Sequence, residues 1–181
     1  AKIGENMNLR RTVTVSVTDG VVESYVHNAV KAGLGKIGIL VALESTGDKA
    51  ALSALGKQLA MHIAATNPLA IDASELDQDV VARERAIILE QVKESGKPAD
   101  IAEKMVEGRI RKYYEEVTLL AQTFVIDGET KVENAIKNAE KDVGAPIKLT
   151  KFVRYALGEG IEKVVTDFAA EVAATAGVKK D

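Results

Sequence analysis

The sequence has 181 residues with no Cys and no Trp, 46% of them hydrophobic and 28% charged, an ordinary composition for a globular chain. Zero Cys excludes a disulfide scaffold, a Cys-based zinc site and a thiol nucleophile, and 24 basic against 27 acidic residues, a net charge of −3, argue against a protein that holds nucleic acid by bulk electrostatics. No apolar run reaches the roughly 18 residues of a membrane helix and the first eleven residues are polar, so the expected setting is a reducing cytoplasm with no membrane partner.

The chain begins with Ala and runs quickly into a strand pattern, from which a removed N-terminal segment is expected. Residues 12–18 alternate strictly between polar and apolar, the period of a half-buried strand. Asp19-Gly20 then predicts a two-residue hairpin that pairs Val17 with Val22, Val15 with Ser24 and Val13 with Val26 on an inner face, leaving Thr12, Tyr25 and His27 on the other. Residues 37–44 are nearly all apolar and β-branched, which predicts a central strand. Asp48 is the expected N-cap of a helix in which Leu52, Leu55, Leu59 and Ile63 share one face up to Asn67-Pro68.

From 77 to 94 and from about 99 to 116, sparse apolar positions recur among many charges, and Gly96-Lys97-Pro98 separates the two runs. They predict a projecting helical hairpin, 77–116, packed as an antiparallel coiled coil. A turn at Asp127-Gly128, a helix from about 131 to 143, a strand over 147–157 and a last helix over 161–174 complete the chain. Sliding residues 55–65 onto 164–174 matches Leu59 with Phe168, Ile63 with Val172 and Ala64-Ala65 with Ala173-Ala174. The expected fold is α+β, with two related subdomains of antiparallel strands and helices, 1–67 and 68–181, the hairpin being inserted in the second.

Chemistry is sparse. Gly33-Leu34-Gly35-Lys36-Ile37-Gly38 has the spacing of a dinucleotide loop, but an apolar strand pattern follows it instead of a helix, so the dipole end that would hold a phosphate is lacking. A Gly-rich turn between strands is the better account, and a nucleotide-using enzyme the weaker one. His27 and His62 are the only histidines, and no carboxylate spacing gathers a metal site or a triad around either. His62 reads either as a helix-edge residue packed against neighbours or as a contact to a partner. The charges of 103–116 interleave as on a solvated helix face, and Tyr113 lies on the apolar stripe. No catalytic residue, cofactor or metal is assigned. What remains is a non-enzymatic protein- or RNA-binding module with a helical arm.

Several strings nevertheless occur together: Lys2-Ile3-Gly4-Glu5-Asn6 with Leu9-Arg10-Arg11, Tyr25-Val26-His27, Gly38-Ile39-Leu40-Val41, residues 60–65, Ser95-Gly96-Lys97-Pro98, residues 101–109 and residues 158–163. In order and interval they resemble the bacterial elongation factor Ts family across nearly the whole chain. The resemblance implies a translation elongation factor of the cytoplasm. It implies a guanine nucleotide exchange factor without covalent chemistry, which binds elongation factor Tu in its GDP or nucleotide-free form and promotes GDP release. No nucleic acid or cofactor is expected, and a homodimer through the C-terminal subdomain is. The resemblance also implies that Ile37 and Gly38, His62, and Asp167 and Phe168 of the C-terminal helix contact elongation factor Tu, so that His62→Ala should weaken binding without unfolding the chain. The family's N-terminal helical module and its Thr-Asp-Phe-Val wedge would precede Lys2, and Thr166-Asp167-Phe168-Ala169 resembles the C-terminal helix instead. Thr123 stands where the family often has Pro.

Overall fold

The structure, a computed structural model, describes residues 8–94 and 96–160. It is α+β. Three strands, β1 (Gly20–His27), β2 (Ile37–Glu44) and β3 (Lys148–Ala156), form one antiparallel sheet in the order β1-β2-β3. The apolar run of β2 therefore occupies the centre, as its composition predicts. Ile39, Val41 and Leu43 point to one face and are at most 2% exposed. The expected boundary at residue 67 falls inside this arrangement, because β3 hydrogen-bonds to β2, with Leu40 opposite Val153 and Ile37 opposite Ala156.

The strand predicted over residues 12–18 does not form, and Asp19-Gly20 is no hairpin turn. β1 pairs instead with β2, Tyr25 opposite Ile39 and His27 opposite Ile37, through a loop at 28–36. The alternation is real, since Val13, Val15 and Val17 are half-buried while Thr12, Thr14, Ser16 and Thr18 are exposed. It reports an extended segment with two unlike faces, not a hydrogen-bonded partner. Thr12 and Val13 border a groove of about 380 Å³ on the outer face of the sheet, with Val26, Leu40, Val153 and Tyr155. The inner face of β1 is consequently the opposite of the predicted one: Val21 and Tyr25 pack on the core, and Val26 turns outward.

Helix α1 (Lys49–Thr66) covers the inner face. The Asp48 carboxylate accepts the Ala51 N–H at 2.7 Å, and Asn67 ends the helix in the left-handed region. Leu52, Leu59 and Ile63 are fully buried against β2. Gly56 lets the helix approach β1, because a Cβ there would lie 2.8 Å from Glu23 Cγ. The Ser53 hydroxyl donates to the Glu23 carboxylate, which gives this inward-facing acid a partner. Helix α4 (Val132–Val143) closes the core with Val132, Ile136 and Val143 and ends at Gly144, φ +78°.

Between α1 and α4 the chain leaves the sheet. Helices α2 (Gln78–Glu94) and α3 (Ala99–Val117) pack through Ile88, Val92, Val106 and Ile110, a cluster that shares no buried residue with the main core. Arg85 Nη2 pairs with Glu107 Oε1 at 2.7 Å, and Arg109 Nη1 donates to Gln91 Oε1 at 2.8 Å, across the exposed flanks of this arm. Its root is closed by backbone bonds: Leu69 N–H to Val117 O at 2.8 Å and Leu119 N–H to Ala70 O at 2.9 Å. A 3-10 turn, Leu119–Ala121, then leads to a loop in which the Asp127 carboxylate accepts the N–H groups of Glu129 and Thr130, both at 3.0 Å. The helix expected over 161–174, and with it the internal echo, lies outside the described residues.

Candidate functional site

Residues 33–38 make the turn and the first residues of a strand. Gly33 adopts φ +74°, Lys31 and Leu34 form an isolated bridge, and β2 follows directly. The glycines lead into a strand and not into a helix, so the nucleotide spacing is that of a strand connection. Among the described residues no group of three or more His, Asp or Glu could hold a metal ion.

His62 is in the core. It is 0% exposed, tilted against Phe124 with ring centroids 5.6 Å apart, and both ring nitrogens are engaged. The Val125 N–H donates to Nδ1 at 3.2 Å, so Nδ1 is unprotonated and Nε2–H donates to Gln122 Oε1 at 2.8 Å. Gln122 Nε2 donates to the Glu116 carbonyl at 2.6 Å, which fixes the orientation of that amide, and the Thr66 hydroxyl donates to the same Oε1 at 2.9 Å. The expected partner-facing histidine is thus a buried tie between α1, the foot of α3 and the loop before α4. Its position was legible: His62 stands seven residues after Leu55 and three after Leu59, on the buried face of the helix.

This geometry has a consequence for titration. Burial holds the His62 imidazole below its ordinary value of 6.5, the hydrogen bond to Gln122 opposing the shift. A histidine whose folded pKa is lowered binds fewer protons folded than unfolded. Its contribution to stability is complete above 6.5 and is lost as pH falls through that value toward the folded pKa. In a proton NMR titration the His62 ring resonance, assigned by its survival in a His27→Gln variant, should remain in its neutral position below pH 6.5. A midpoint at or above the ordinary value would show that the ring is solvated.

Ile37 and Gly38 open β2 at the end of the sheet where β1 finishes. Ile37 is half-buried against the core, whereas Gly38 is exposed and a Cβ there would meet no atom within 4 Å. Directly opposite Ile37 stands the other histidine, His27, half-buried, with Nδ1 3.1 Å from the Tyr25 hydroxyl. Asp167 and Phe168 lie outside the described residues.

Sequence reasoning missed the polar tie at this same end. Glu159 accepts Arg11 Nη2 at 3.1 Å and the Ala156 N–H at 3.4 Å, and Arg154 Nη1 lies 3.6 Å from its other oxygen. The Arg11 hydrogen bond holds the Glu159 carboxyl below its usual range, aided by the Ala156 N–H and opposed by slight burial. Arg10 Nη1 donates to the Glu159 carbonyl at 2.7 Å, and the Arg11 guanidinium lies 4.5 Å above the Tyr155 ring. These contacts span almost 150 residues of sequence, and no local pattern announces them.

A family model described as "Elongation factor TS" matches residues 1–159. The chain is 60% identical over 177 residues to Elongation factor Ts of Rhodospirillum centenum, covering 98% of this chain and 58% of that relative. It is 59% identical over 176 residues to Elongation factor Ts of Bartonella henselae, covering 97% and 57%, and 63% identical over 174 residues to Elongation factor Ts of Rhizobium etli, covering 96% and 56%. The chain therefore spans a little over half the length of these relatives.

Proposed function

Because the chain belongs to the elongation factor Ts family, we propose that it acts in translation elongation by binding elongation factor Tu and promoting release of its GDP. The observation that carries this reading is the family match over residues 1–159 together with about 60% identity along nearly the whole chain. Exchange needs no covalent step. It requires tighter binding to the nucleotide-free partner than to the GDP-bound one, after which linkage makes GDP bind less tightly in the complex. A surface that a second protein can grip is sufficient, and a catalytic constellation is not needed.

The contact we propose is the sheet end formed by Ile37 and Gly38, where bare backbone at Gly38 leaves room for close approach and His27 stands across the ladder. His62 is left out of this proposal because its side chain is enclosed in the core. Asp167 and Phe168 belong to the same proposal through the family resemblance. A dimer through the second half of the chain is likewise proposed from the family alone.

The test is the release rate of fluorescent GDP from elongation factor Tu with and without the chain, with binding measured on the same samples. Accelerated release is expected, and His27→Ala should reduce it severalfold while lowering the unfolding free energy by only about 1 kcal/mol, for the lost contact with the Tyr25 hydroxyl. Binding without acceleration would make the chain a docking module, and no binding would remove the proposal.

A further inference from the structure

We propose that the loop between β1 and β2, together with the turn after β3, forms a docking surface for an acidic protein face with an aliphatic centre. Resting on the reading above, that face is the one elongation factor Tu presents to Ile37 and Gly38. Three aliphatic side chains at this end are strongly exposed: Val30 at 84%, Leu34 at 60% and Leu157 at 83%. The backbone gathers them. The Val30 N–H donates to the Leu34 carbonyl at 2.9 Å, and the Leu157 N–H donates to the Lys36 carbonyl at 2.8 Å. Single exposed aliphatics are ordinary, but several beside one another inside a charged rim mark an interaction site.

The rim is basic although the chain carries a net charge of −3. Lys31 and Lys36 are exposed and have no ion-pair partner among the described residues. Arg10 and Arg11 reach the turn after β3, where Arg10 donates to the Glu159 carbonyl and Arg11 pairs with the Glu159 carboxylate. The acid at that turn, Glu159, is already taken up by Arg11, Arg154 and the Ala156 N–H. An incoming negative surface therefore meets unsatisfied positive charge around an apolar centre. Aliphatic side chains offer no stacking platform for bases, and the nearby Tyr155 ring is covered by Arg11, so the surface suits a protein better than a nucleic acid.

The loop is also shaped before any partner arrives. Gly33 turns it with φ +74°, and Gly35 lies so close to β1 that a Cβ would sit 2.5 Å from Val26 Cγ1 and 2.7 Å from the His27 carbonyl oxygen. The Lys36 N–H donates to that carbonyl at 3.1 Å. A loop already held in place loses little conformational freedom on binding.

Two double variants separate the parts, with thermal melts to verify that these exposed positions leave the fold intact. Binding of the whole chain to elongation factor Tu carrying fluorescent GDP would be followed by stopped flow across a salt series. Lys31→Glu with Lys36→Glu should slow association about tenfold at low salt and flatten its salt dependence, because rim charges act mainly on the encounter. Leu34→Ser with Leu157→Ser should instead raise the dissociation rate about tenfold, as losses of buried apolar contact do. If the parent binds and both variants match it, this inference falls while the proposed function stands. If the parent does not bind, both fall. If the charge variant loses affinity for a single-stranded RNA oligonucleotide but not for elongation factor Tu, the surface is a nucleic-acid site and the inference is overturned.

Discussion

His62→Ala is expected to destabilise the chain by about 3–5 kcal/mol, the largest effect of any single substitution considered. The ring is fully enclosed, so its removal leaves a cavity beside Phe124 and Ile63. It also removes a partner of two polar groups, one of them on the buried Gln122 side chain and the other at the half-buried start of the loop before α4. The Val125 N–H loses its acceptor and Gln122 Oε1 loses one of two donors, the Thr66 hydroxyl remaining as the other. The loss of these two hydrogen bonds adds to the cost of the cavity, which places the substitution among the more damaging changes at buried residues. Urea unfolding checks it: a loss below about 1 kcal/mol would mean that the ring does not hold this junction. The same unfolding measurement, run beside a binding assay, separates this outcome from the expectation that His62→Ala weakens partner binding in an intact chain.

Gly47→Ala should cost about 2–3 kcal/mol, although it adds a single methyl group. That methyl would sit 2.2 Å from the Val143 carbonyl oxygen and 2.7 Å from Val143 Cγ1, and the first of these is backbone that cannot swing aside. The same carbonyl accepts the Asp48 N–H at 2.8 Å, so moving it disturbs both the start of α1 and the end of α4. Gly108→Ala supplies the contrast. It lies inside α3 with nothing within 4 Å of the added methyl, and the gain in helix propensity should stabilise the arm by about 0.5–1 kcal/mol. Opposite signs for two glycine-to-alanine changes would attribute the Gly47 effect to the close approach. Equal effects would remove that attribution.

Local chemistry was legible and distant pairing was not. The helix from Lys49 could be recognised from Asp48 and the Leu52, Leu55, Leu59, Ile63 spacing because both signals act within a few residues. The strand composition of Ile37–Glu44 likewise revealed a central position. Residues 12–18 misled because alternation describes which faces are wet, whereas a ladder partner is chosen by competition along the whole chain. Here β2 took that place beside β1 through the loop at 28–36. Of the candidate contact, Ile37 and Gly38 do reach the end of the sheet. His62 does not: its place on the buried face of α1 was legible from the helical spacing, whereas its polar partners, Gln122 sixty residues away and the Val125 N–H, were not. The tie between Arg11 and Glu159 was invisible for the same reason.

The closed root of the helical arm bears on how the chain finds its fold. The Thr150 hydroxyl donates to the Ala42 carbonyl across 108 positions, a long separation for strands that must meet in one sheet. The bridge between Ala70 and Thr118 brings the two ends of the arm together. Once α2 and α3 have zipped, a local event between consecutive helices, the intervening residues no longer count toward the search. The effective path from β2 to β3 shortens by nearly half, which lowers the closure entropy by roughly 0.5 kcal/mol. The arm thus serves the topology as a shortcut, and its length can drift over evolution with little change in the speed at which the sheet is completed.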